Sequence, residues 1–553
     1  MRRLPLWLGY AVVVAFLAVF LIAPVATMLW SGLDPAHLAE VVRHPVYRAG
    51  LLNAVAIAVA TTALALAIAV PLAFCSARWR FPGKGLTEAL VLVPLIMPPF
   101  VGALGLRQVF GTYGVLNALF GTQVDWLGEY RFAAVCLLEA LHLYPVLYLS
   151  LVANLSRIDH RLLEAARTCG AGPWTRLWRI TLPLLRPGLF AGGIIVFIWS
   201  LTELGTPLLL DYHRVTPVQI YAGLAAARTD AMPFALAVVL LALSALSYAG
   251  ARRLVLGRGR AWEAGSKAGG SGARQRELGR WGAVLAWALY CAVFLLAAMP
   301  HVAVGLIALT RDWYHSALPS GATTAHLRAA LAHPLVVPSI VNSLEYASLA
   351  TALALVLGTF IAWTVIRWRP PGARALDLLA TVPLAIPGII LAFGYVALVA
   401  RFEALDRLLD PTANPTALLV IAYAVRRLPY ITRAAASGLA QAPELYEEAA
   451  QTCGAGWWLR LRRITLPLIA TSLMAGALLT FSYSMLEVAD SLVLAQKRSY
   501  YPVTKVIYEL MGVLGTGPAI ACAFALWAMA FLGLTMAATA LLLGKRLALF
   551  FRR

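Results

Sequence analysis

Three carboxylates stand inside otherwise apolar stretches of the sequence and are the side chains best suited to meet a charged solute there. Glu203 and Glu487 are 284 residues apart in similar contexts, Ser200-Leu-Thr-Glu and Ser484-Met-Leu-Glu, and Asp490 follows the second alone. An ionisable group in an apolar segment is costly and is therefore a candidate site. Carboxylate oxygens are hard ligands, which by charge suit a cation such as Fe(III). The alternative is that these groups cap or hydrogen-bond the segments near one membrane surface.

Two further pairs of polar residues fall within or beside apolar segments. Arg426 and Arg427 could attract an anion, but we favour ion pairs with glutamates of neighbouring helices. Asn53 and Asn342, 289 residues apart, are candidates for the same path or for hydrogen bonds between helices, which typically contribute about 0.6 to 2 kcal/mol. These residues do not make a firm metal site.

Catalytic chemistry is not indicated by any motif in the chain. The phosphate-binding pattern Gly-x(4)-Gly-Lys-[Ser/Thr] does not occur, because Gly83-Lys84 is followed by Gly and Gly544-Lys545 by Arg. A His-Glu-x-x-His metal motif and a CxxC pair are also missing from the sequence. We therefore expect no catalytic residues, no bound cofactor and no ATP hydrolysis by this chain itself.

The composition is that of an integral membrane protein. Hydrophobic residues make up 61% of the chain and charged residues 13%, with a mean hydropathy of +0.79, whereas a soluble domain is about a quarter charged. Segments of ~20 apolar residues, the length that spans a bilayer, predict an all-α protein with twelve transmembrane helices and not a β-barrel. The first is expected to be a retained helix and not a cleaved signal. The predicted spans are 7–30, 51–77, 88–109, 132–153, 187–210, 232–250, 281–309, 339–366, 377–400, 415–436, 469–495 and 518–543.

Positive charge is concentrated in the loops of one side. The net charge of +20 would suggest a nucleic-acid partner in a soluble protein, but in a membrane protein its placement sets the orientation. If the spans alternate, the basic loops share a side with both termini, which the positive-inside rule assigns to the cytoplasm. The lipid bilayer is then the expected surrounding, and no nucleic acid is expected. The basic loop residues are Arg78, Arg80, Lys84, Arg157, Arg161, Arg167, Arg176, Arg179, Arg367, Arg369, Arg374, Arg460, Arg462 and Arg463.

The sequence consists of two related halves joined by a linker. Arg78-Trp-Arg and Arg367-Trp-Arg are 289 residues apart, in corresponding places. Six spans per half is an even number, so the halves are parallel repeats that both begin on the same side, with the expected path between them. Residues 1–256 form the first six-helix repeat and residues 280–553 the second. Residues 257–279, rich in Gly, Ser and Arg, are predicted to be a flexible basic cytoplasmic linker.

One loop occurs in both repeats with identical spacing. Glu164-Ala-Ala and Glu448-Ala-Ala each precede a glycine by six residues, and Ile-Thr-Leu-Pro begins ten residues after each glycine. Alanines favour a helix and the glycines permit a turn, so each loop should hold two short helices that meet at a bend. A single copy could be an ordinary interfacial helix, but two matched copies point to a paired device on a membrane protein. We call residues 155–183 the first repeated loop and residues 439–467 the second repeated loop.

The pattern Glu-Ala-Ala-x(3)-Gly-x(9)-Ile-x-Leu-Pro resembles the EAA motif of permease subunits in binding-protein-dependent ABC importers, and both copies fit it. In that family the loop is a coupling helix that docks into an ATP-binding subunit. The resemblance implies a place in the bacterial inner membrane, two copies of that subunit in the cytoplasm, which bind ATP and Mg, and a periplasmic solute-binding protein. The residues implied to form the two docking sites are Glu164, Ala165, Ala166, Gly170, Glu448, Ala449, Ala450 and Gly454.

The fused layout, together with Leu486-Glu-Val-Ala-Asp-Ser-Leu-Val-Leu and Tyr500-Tyr-Pro-Val-Thr-Lys-Val-Ile-Tyr, is most similar to the iron(III)-type permeases of this group. Iron(III) is therefore the expected solute, with thiamine, phosphonates, polyamines or another small solute as alternatives. From a different class, a twelve-helix secondary transporter driven by an ion gradient is the main rival. Such a carrier would not need a repeated docking loop.

Overall fold

A computed structural model describes residues 4–227, 229–256 and 275–550, and most of these residues are helical. Long helices follow from the apolar runs, because a helix satisfies all its backbone hydrogen bonds internally where water is excluded. Nine helices within the described part of the chain are long and apolar enough to cross a membrane. They are Leu6–Gly32, Pro45–Arg78, Tyr130–Leu155, Pro173–Leu201, Met232–Arg253, Arg280–Leu309, Val336–Trp368, Trp457–Met485 and Gly517–Thr535.

Two predicted spans, 88–109 and 377–400, are bent pairs of helices instead of continuous ones. Lys84–Leu95 and Pro99–Phe120 meet at 90°, and Ala373–Leu384 and Gly388–Arg401 meet at 107°. Prolines cause both breaks, because Pro98 and Pro387 adopt extended backbone immediately before the second helix of each pair. With each bent pair taken as one span, the total reaches eleven.

The remaining predicted span, 415–436, coincides with the helix Thr416–Gln441. This helix is 26 residues long, which is sufficient to cross a bilayer, but it contains Arg426, Arg427 and Arg433. The arginines lower its hydropathy below that of an ordinary span. The twelve spans predicted from the sequence are therefore compatible with the fold.

Short helices and turns connect the spans. The short α-helices are Pro35–Arg43, Val115–Phe120, His160–Thr168, Pro173–Arg176, Gly205–Leu209, Thr216–Ala222, Ala325–Ala332, Glu403–Leu409, Leu445–Thr452, Trp457–Arg460, Ala489–Leu494 and Val503–Met511. π-helical turns occupy Ala18–Ile22, Leu177–Thr181, Thr364–Trp368 and Leu461–Thr465, and 3₁₀ turns occupy Gly223–Ala226, Val382–Leu384 and Arg498–Tyr500. Trp79–Arg80 pairs in parallel with Arg276–Glu277, and Thr310–Asp312 pairs antiparallel with Ser320–Ala322.

The chain divides into two compact units that do not coincide with the two sequence repeats. One unit comprises Met1–Val41, Ile220–Val238 and Ala325–Arg553, and the other comprises Val42–Gln219 and Val239–Thr324. The first helix of each repeat therefore belongs to a unit built mainly from the other repeat. The bounds predicted from the sequence, 1–256 and 280–553, describe the two repeats and not the two compact units. Of the linker predicted at 257–279, residues 257–274 lie outside the described residues.

Hydrogen bonds show this exchange inside each unit. The Tyr395 hydroxyl donates to the Phe20 carbonyl at 2.7 Å, which ties the first helix of the chain to a helix of the second repeat. In the other unit, the Tyr290 hydroxyl donates to the Leu72 carbonyl at 2.9 Å. Each first helix is thus fixed by a buried polar contact as well as by packing.

Small residues allow the span after each repeated loop to pack closely against its neighbours. A Cβ on Gly192 would lie 3.0 Å from the Ser150 Cβ, and one on Gly476 would lie 2.7 Å from the Ala434 Cβ. Such close approach is the usual basis of helix association in lipid, where apolar burial alone gives little driving force. A displacement of either repeated loop would therefore be passed to tightly packed spans.

Candidate functional site

The two repeated loops have the same local structure. The first contains the helix His160–Thr168, and the second contains Leu445–Thr452. The Asp159 carboxylate accepts a hydrogen bond from the Arg161 backbone N–H at 2.9 Å and caps the first helix. The second helix begins after Glu444 without a side-chain cap. The shared alanines, which are strong helix formers, account for both helices.

A glycine ends each of these helices with the same turn. Gly170 has φ of +81° and Gly454 of +83°, a left-handed conformation that residues with a Cβ rarely adopt. The Gly170 N–H donates to the Arg167 carbonyl at 3.0 Å and the Ala171 N–H to the Ala166 carbonyl at 2.9 Å. The corresponding bonds of the second loop, to Gln451 and Ala450, are 3.0 and 2.9 Å long. This pair of bonds defines a Schellman turn, which explains the glycine in both copies.

Two non-helical residues separate each turn from the spanning helix that follows it, Ala171 and Gly172 in the first loop and Ala455 and Gly456 in the second. Pro173–Leu201 and Trp457–Met485 are continuous helical segments of 29 residues each, and each includes a π-helical turn at the corresponding position, Leu177–Thr181 or Leu461–Thr465. A helix transmits displacement along its axis because its backbone hydrogen bonds are intact. The geometry therefore joins a surface loop mechanically to the membrane-spanning core.

The residues predicted to dock are mostly exposed. Glu164, Ala165, Gly170, Glu448, Ala449 and Gly454 are exposed, and Ala166 and Ala450 are half-buried. Two tryptophans at corresponding positions lie beside them, with Trp174 73% and Trp458 62% exposed. Adjacent exposed aromatic side chains on a polar loop are typical of a surface that contacts another protein.

An arginine outside the motif fixes the second repeated loop. The Arg367 guanidinium lies 3.0 Å from the Glu444 carboxylate and 3.3 Å from the Glu447 carboxylate. It also donates to the backbone carbonyls of Leu439 at 3.1 Å and Ala442 at 2.7 Å. Because Arg367 ends the span Val336–Trp368, these contacts, which we call the Arg367 clamp, tie the loop to a second spanning helix.

A cluster of four charged side chains joins the helix Thr416–Gln441 to the broken segment after the span Trp457–Met485. Arg426 Nη1 is 2.9 Å from Glu487 Oε1 and 3.2 Å from Asp490 Oδ2, and Arg427 pairs with the other Glu487 oxygen. The Glu487 and Asp490 side chains are 4% and 0% exposed. Two guanidinium groups balance two carboxylates, so this ion cluster has no formal net charge. The pairing expected for Arg426 and Arg427 is thus present.

Hydroxyl groups complete the surroundings of the ion cluster. The Tyr423 hydroxyl and Ser491 Oγ are 2.6 Å apart, and Thr504 Oγ1 donates to the Glu487 backbone carbonyl at 2.7 Å.

Lys505 Nζ donates to the Leu492 carbonyl at 2.9 Å and lies 4.8 Å from the centre of the Tyr501 ring. Burial lowers the pKa of the Lys505 amine to about 8, which the Glu509 carboxylate partly offsets.

Glu203, in the other compact unit, has a different environment from Glu487. Its Oε1 accepts hydrogen bonds from the backbone N–H groups of Gly205 at 3.1 Å and Thr206 at 3.4 Å, at the start of the helix Gly205–Leu209. These are the contacts of a helix-capping carboxylate, the alternative interpretation of the sequence. Thr206 stands where the second repeat has Asp490, so the two repeats differ in charge at this position.

The two candidate asparagines both hold loops. Asn53 Nδ2 donates to the Arg214 carbonyl at 2.9 Å, and Asn342 Nδ2 donates to the Ser499 carbonyl at 3.0 Å and the Tyr501 carbonyl at 3.2 Å. The accepting residues lie in corresponding loops of the two repeats. The symmetry seen in the sequence therefore corresponds to a repeated hydrogen bond between a span and a loop.

No group of three or more His, Cys, Asp or Glu side chains in the described part of the chain is arranged to hold a metal ion.

Sequence reasoning missed the Arg367 clamp. One available signal was that Arg78 and Arg367 occupy corresponding positions of the two repeats. The other was that Glu444 and Glu447 stand where the first repeat has His160 and Leu163.

Comparison with known proteins places this architecture among transport proteins. Residues 65–258 and 354–540 each match the family described as "Binding-protein-dependent transport system inner membrane component". The two matches fall in the two sequence repeats and include both repeated loops.

Three relatives illustrate the range of names within these matches. The ferric transport system permease protein FbpB of Actinobacillus pleuropneumoniae is 27% identical over 414 residues, which is 72% of this chain and 57% of that protein. The probable ABC transporter permease protein y4fN of Sinorhizobium fredii is 27% identical over 512 residues, which is 87% of this chain and 86% of that protein. The molybdenum transport system permease protein ModB of Mycobacterium tuberculosis is 31% identical over 261 residues, which is 45% of this chain and 95% of that protein.

The alignments span less than two thirds of two relatives named for ferric transport, 57% of the Actinobacillus protein and 64% of one from Haemophilus influenzae. The family match itself covers more than half of this chain, in two copies. Together with the apolar spans and the repeated loops, it shows that the chain is a multi-pass, two-repeat membrane protein that belongs to the family of binding-protein-dependent transport system inner membrane components.

Proposed function

We propose that this chain forms the membrane pathway of an ABC importer, with both permease repeats fused in one chain. The observation that carries the proposal is the pair of repeated loops with the same turn, each leading into a spanning helix. Two loops on one chain fit two copies of an ATP-binding subunit. ATP and Mg would be bound by those subunits, since this sequence has no phosphate-binding motif of its own.

The direction of transport follows from the orientation that we propose, with both termini and both repeated loops in the cytoplasm. A solute-binding protein would deliver its cargo at the opposite, periplasmic face. The closed ATP-bound dimer would favour one arrangement of the spans and hydrolysis would release it, because a ligand shifts an equilibrium only by its difference in affinity for the two states. Moving such an equilibrium from 1:99 to 99:1 takes about 5.5 kcal/mol.

Iron(III) is the solute that we propose first. Relatives named for ferric transport support it, as does the fused layout. The ion cluster does not supply a metal cage, because Arg426 and Arg427 balance Glu487 and Asp490. We therefore propose that the binding protein selects iron and that the ion cluster holds the broken segment after the span Trp457–Met485 in place.

Molybdate is the second candidate, because a permease named for molybdenum transport matches at 31% identity. Thiamine, phosphonates and polyamines are the alternative cargoes of the same machinery. A gradient-driven carrier is the rival mechanism.

The decisive experiment measures uptake of radiolabelled iron(III) and of labelled molybdate in cells with the gene deleted and then restored. Sensitivity to vanadate, with resistance to an ionophore, would support the ATP-driven mechanism, and the opposite pattern would favour the secondary carrier. Loss and rescue of iron uptake alone would support iron(III). Loss and rescue of molybdate uptake alone would replace it.

A further inference from the structure

A basic cavity lies at the base of the first repeated loop. Its volume is about 450 Å³, and four arginines line it: Arg78, Arg167, Arg176 and Arg276. Among the residues that the structure describes, its lining includes Thr181 but no Asp or Glu. Glu164 follows Leu163 in the sequence, yet it is exposed and is not part of the lining. We call this space the Arg78 cavity.

The second repeat shows what such an arginine binds when its partners are supplied by the chain. Arg78 and Arg367 occupy corresponding positions, and Arg367 contacts the Glu444 and Glu447 carboxylates. In the first repeat the residues that correspond to these glutamates are His160 and Leu163. The counter-charges of the Arg367 clamp are therefore missing from the Arg78 cavity, and further arginines are present instead.

The hydrogen-bonding capacity of these arginines is not used up within the protein. Arg78 Nη2 donates to the Thr181 hydroxyl at a distance of 3.4 Å, which is long for such a bond. Arg176 Nε and its second-repeat counterpart Arg460 Nε are both buried without a hydrogen-bond partner among the described residues. Arg460 still donates through Nη1 to the Gln451 side chain at 2.5 Å, whereas the first repeat has Arg167 in place of Gln451. A buried donor without a partner is unfavourable, and several guanidinium groups facing one cavity repel each other unless an anion is present.

We propose that the Arg78 cavity binds a phosphate-type oxyanion, either free inorganic phosphate or the phosphate group of an anionic lipid. Guanidinium groups match the geometry of phosphate oxygens through paired hydrogen bonds. Arg78 also ends the spanning helix Pro45–Arg78, and basic pockets at such helix ends are typical sites for lipid head groups. The bound anion takes the place that Glu444 and Glu447 fill in the second repeat.

The consequence is an exchangeable tie for the first repeated loop. Arg167 and Arg176 belong to that loop, Arg78 to the span Pro45–Arg78, and Arg276 to the strand that pairs with Trp79–Arg80. An anion bound by all four would join these elements as the Arg367 clamp joins theirs. The Arg367 clamp is made by side chains of the protein itself, whereas the corresponding tie in the first repeat depends on a bound anion.

The test compares anion binding by the purified full-length chain and by three variants. Leu163→Glu supplies the carboxylate that Glu447 provides in the second repeat, and Arg176→Gln removes one ligand. Arg460→Gln is the matched control, because Arg460 corresponds to Arg176 in the second repeat. Thermal midpoints measured without phosphate verify that each variant is folded, and Leu163→Glu and Arg176→Gln perturb the cavity in independent ways.

Two arms distinguish the sources of the anion. The first titrates inorganic phosphate into delipidated protein by calorimetry. The second measures, by native mass spectrometry, the phospholipid retained from nanodiscs of phosphatidylcholine alone or with about one part in four of phosphatidylglycerol. A free-anion site predicts phosphate binding in the first arm without retained phosphatidylglycerol, and a head-group site predicts retained phosphatidylglycerol that phosphate displaces.

Under either source, Leu163→Glu and Arg176→Gln should weaken binding by about tenfold or more, the expected effect of losing a charge-assisted hydrogen bond. Arg460→Gln should leave it unchanged. Equal binding by the wild type and Leu163→Glu, binding of neither probe by the wild type, or an equal loss in Arg460→Gln would overturn the proposal. These readouts do not depend on the transported solute or on the partner subunits.

Discussion

Gly170 and Gly454, which are 284 residues apart, turn the backbone in the same left-handed conformation, with φ of +81° and +83°. A Cβ added at either position would meet no atom within 4 Å. Space is therefore not what requires glycine. The requirement is the backbone conformation, which costs other residues about 1–2 kcal/mol.

Replacing both glycines by alanine should weaken coupling without disturbing the spans. In the Gly170→Ala, Gly454→Ala double variant, the added strain favours other turn conformations and misplaces both short helices. We expect normal membrane insertion but a several-fold loss of ATP-driven uptake. The matched control is Gly172→Ala with Gly456→Ala, since these neighbours have φ of −66° and −65° and equally open surroundings. Equal loss of uptake in both double variants would contradict the role assigned to the turns.

The exposed glutamates of the repeated loops test docking more directly. Glu164→Ala with Glu448→Ala should release or uncouple the ATP-binding subunits while leaving the folded permease intact, because both side chains lie on the surface. The measurement is co-purification of those subunits, together with vanadate-sensitive uptake. Cys169→Ser with Cys453→Ser, which alters exposed residues of the same loops, is the control. Full association and transport in the glutamate double variant would refute the docking role.

The Arg367 clamp should depend more on Glu447 than on Glu444. Their side chains are 17% and 49% exposed, and the more exposed pair is weakened by solvent screening. Glu447→Gln should cost about 1.5–3 kcal/mol, the value of a hydrogen bond to a charged group, and Glu444→Gln less. Limited proteolysis of the second repeated loop measures the difference, with cleavage of the first repeated loop as the internal reference. Faster cleavage in Glu444→Gln than in Glu447→Gln would reverse this ranking.

Much of the fold could be read from the sequence because the signals were local or repeated. Apolar run length predicted the spans, and the spacing of Glu164 and Gly170 with Glu448 and Gly454 predicted two equal turns. The bends at Pro98 and Pro387 were harder to predict, since proline also occurs inside continuous helices such as Pro45–Arg78.

Side-chain partners could be predicted only where few alternatives existed. Arg426 and Arg427 lie in an apolar span, so a nearby carboxylate was the natural partner. Arg367 lies among many charged loop residues, and its contacts with Glu444 and Glu447 bridge about eighty positions of chain. The exchange of first helices between the compact units likewise depends on packing, which hydropathy does not encode.

The stability that the ion cluster gives the protein should depend more on its charge balance than on any one of its side chains. Glu487→Gln leaves two arginines facing Asp490 alone, and an uncompensated buried charge typically costs about 3–5 kcal/mol. Adding Arg427→Met restores one arginine to one carboxylate, so the double variant should be more stable than Glu487→Gln. Thermal midpoints in detergent for the wild type, both single variants and the double variant complete the cycle. Additive destabilisation would show that balance is not what holds the cluster.

Lys505 gives the protein a pH-dependent contribution to stability whose sign is opposite to that of a salt-bridged lysine. Burial lowers its pKa from 10.5 to about 8, so between these values the unfolded chain binds more protons than the folded one. The free energy of unfolding should therefore rise with pH across that window. Lys505→Met should remove this rise and increase the thermal midpoint at about pH 7, where burying the charged amine is most costly. Lys497→Met, at an exposed position in the preceding loop, should keep the rise; if Lys505→Met keeps it as well, another group is responsible.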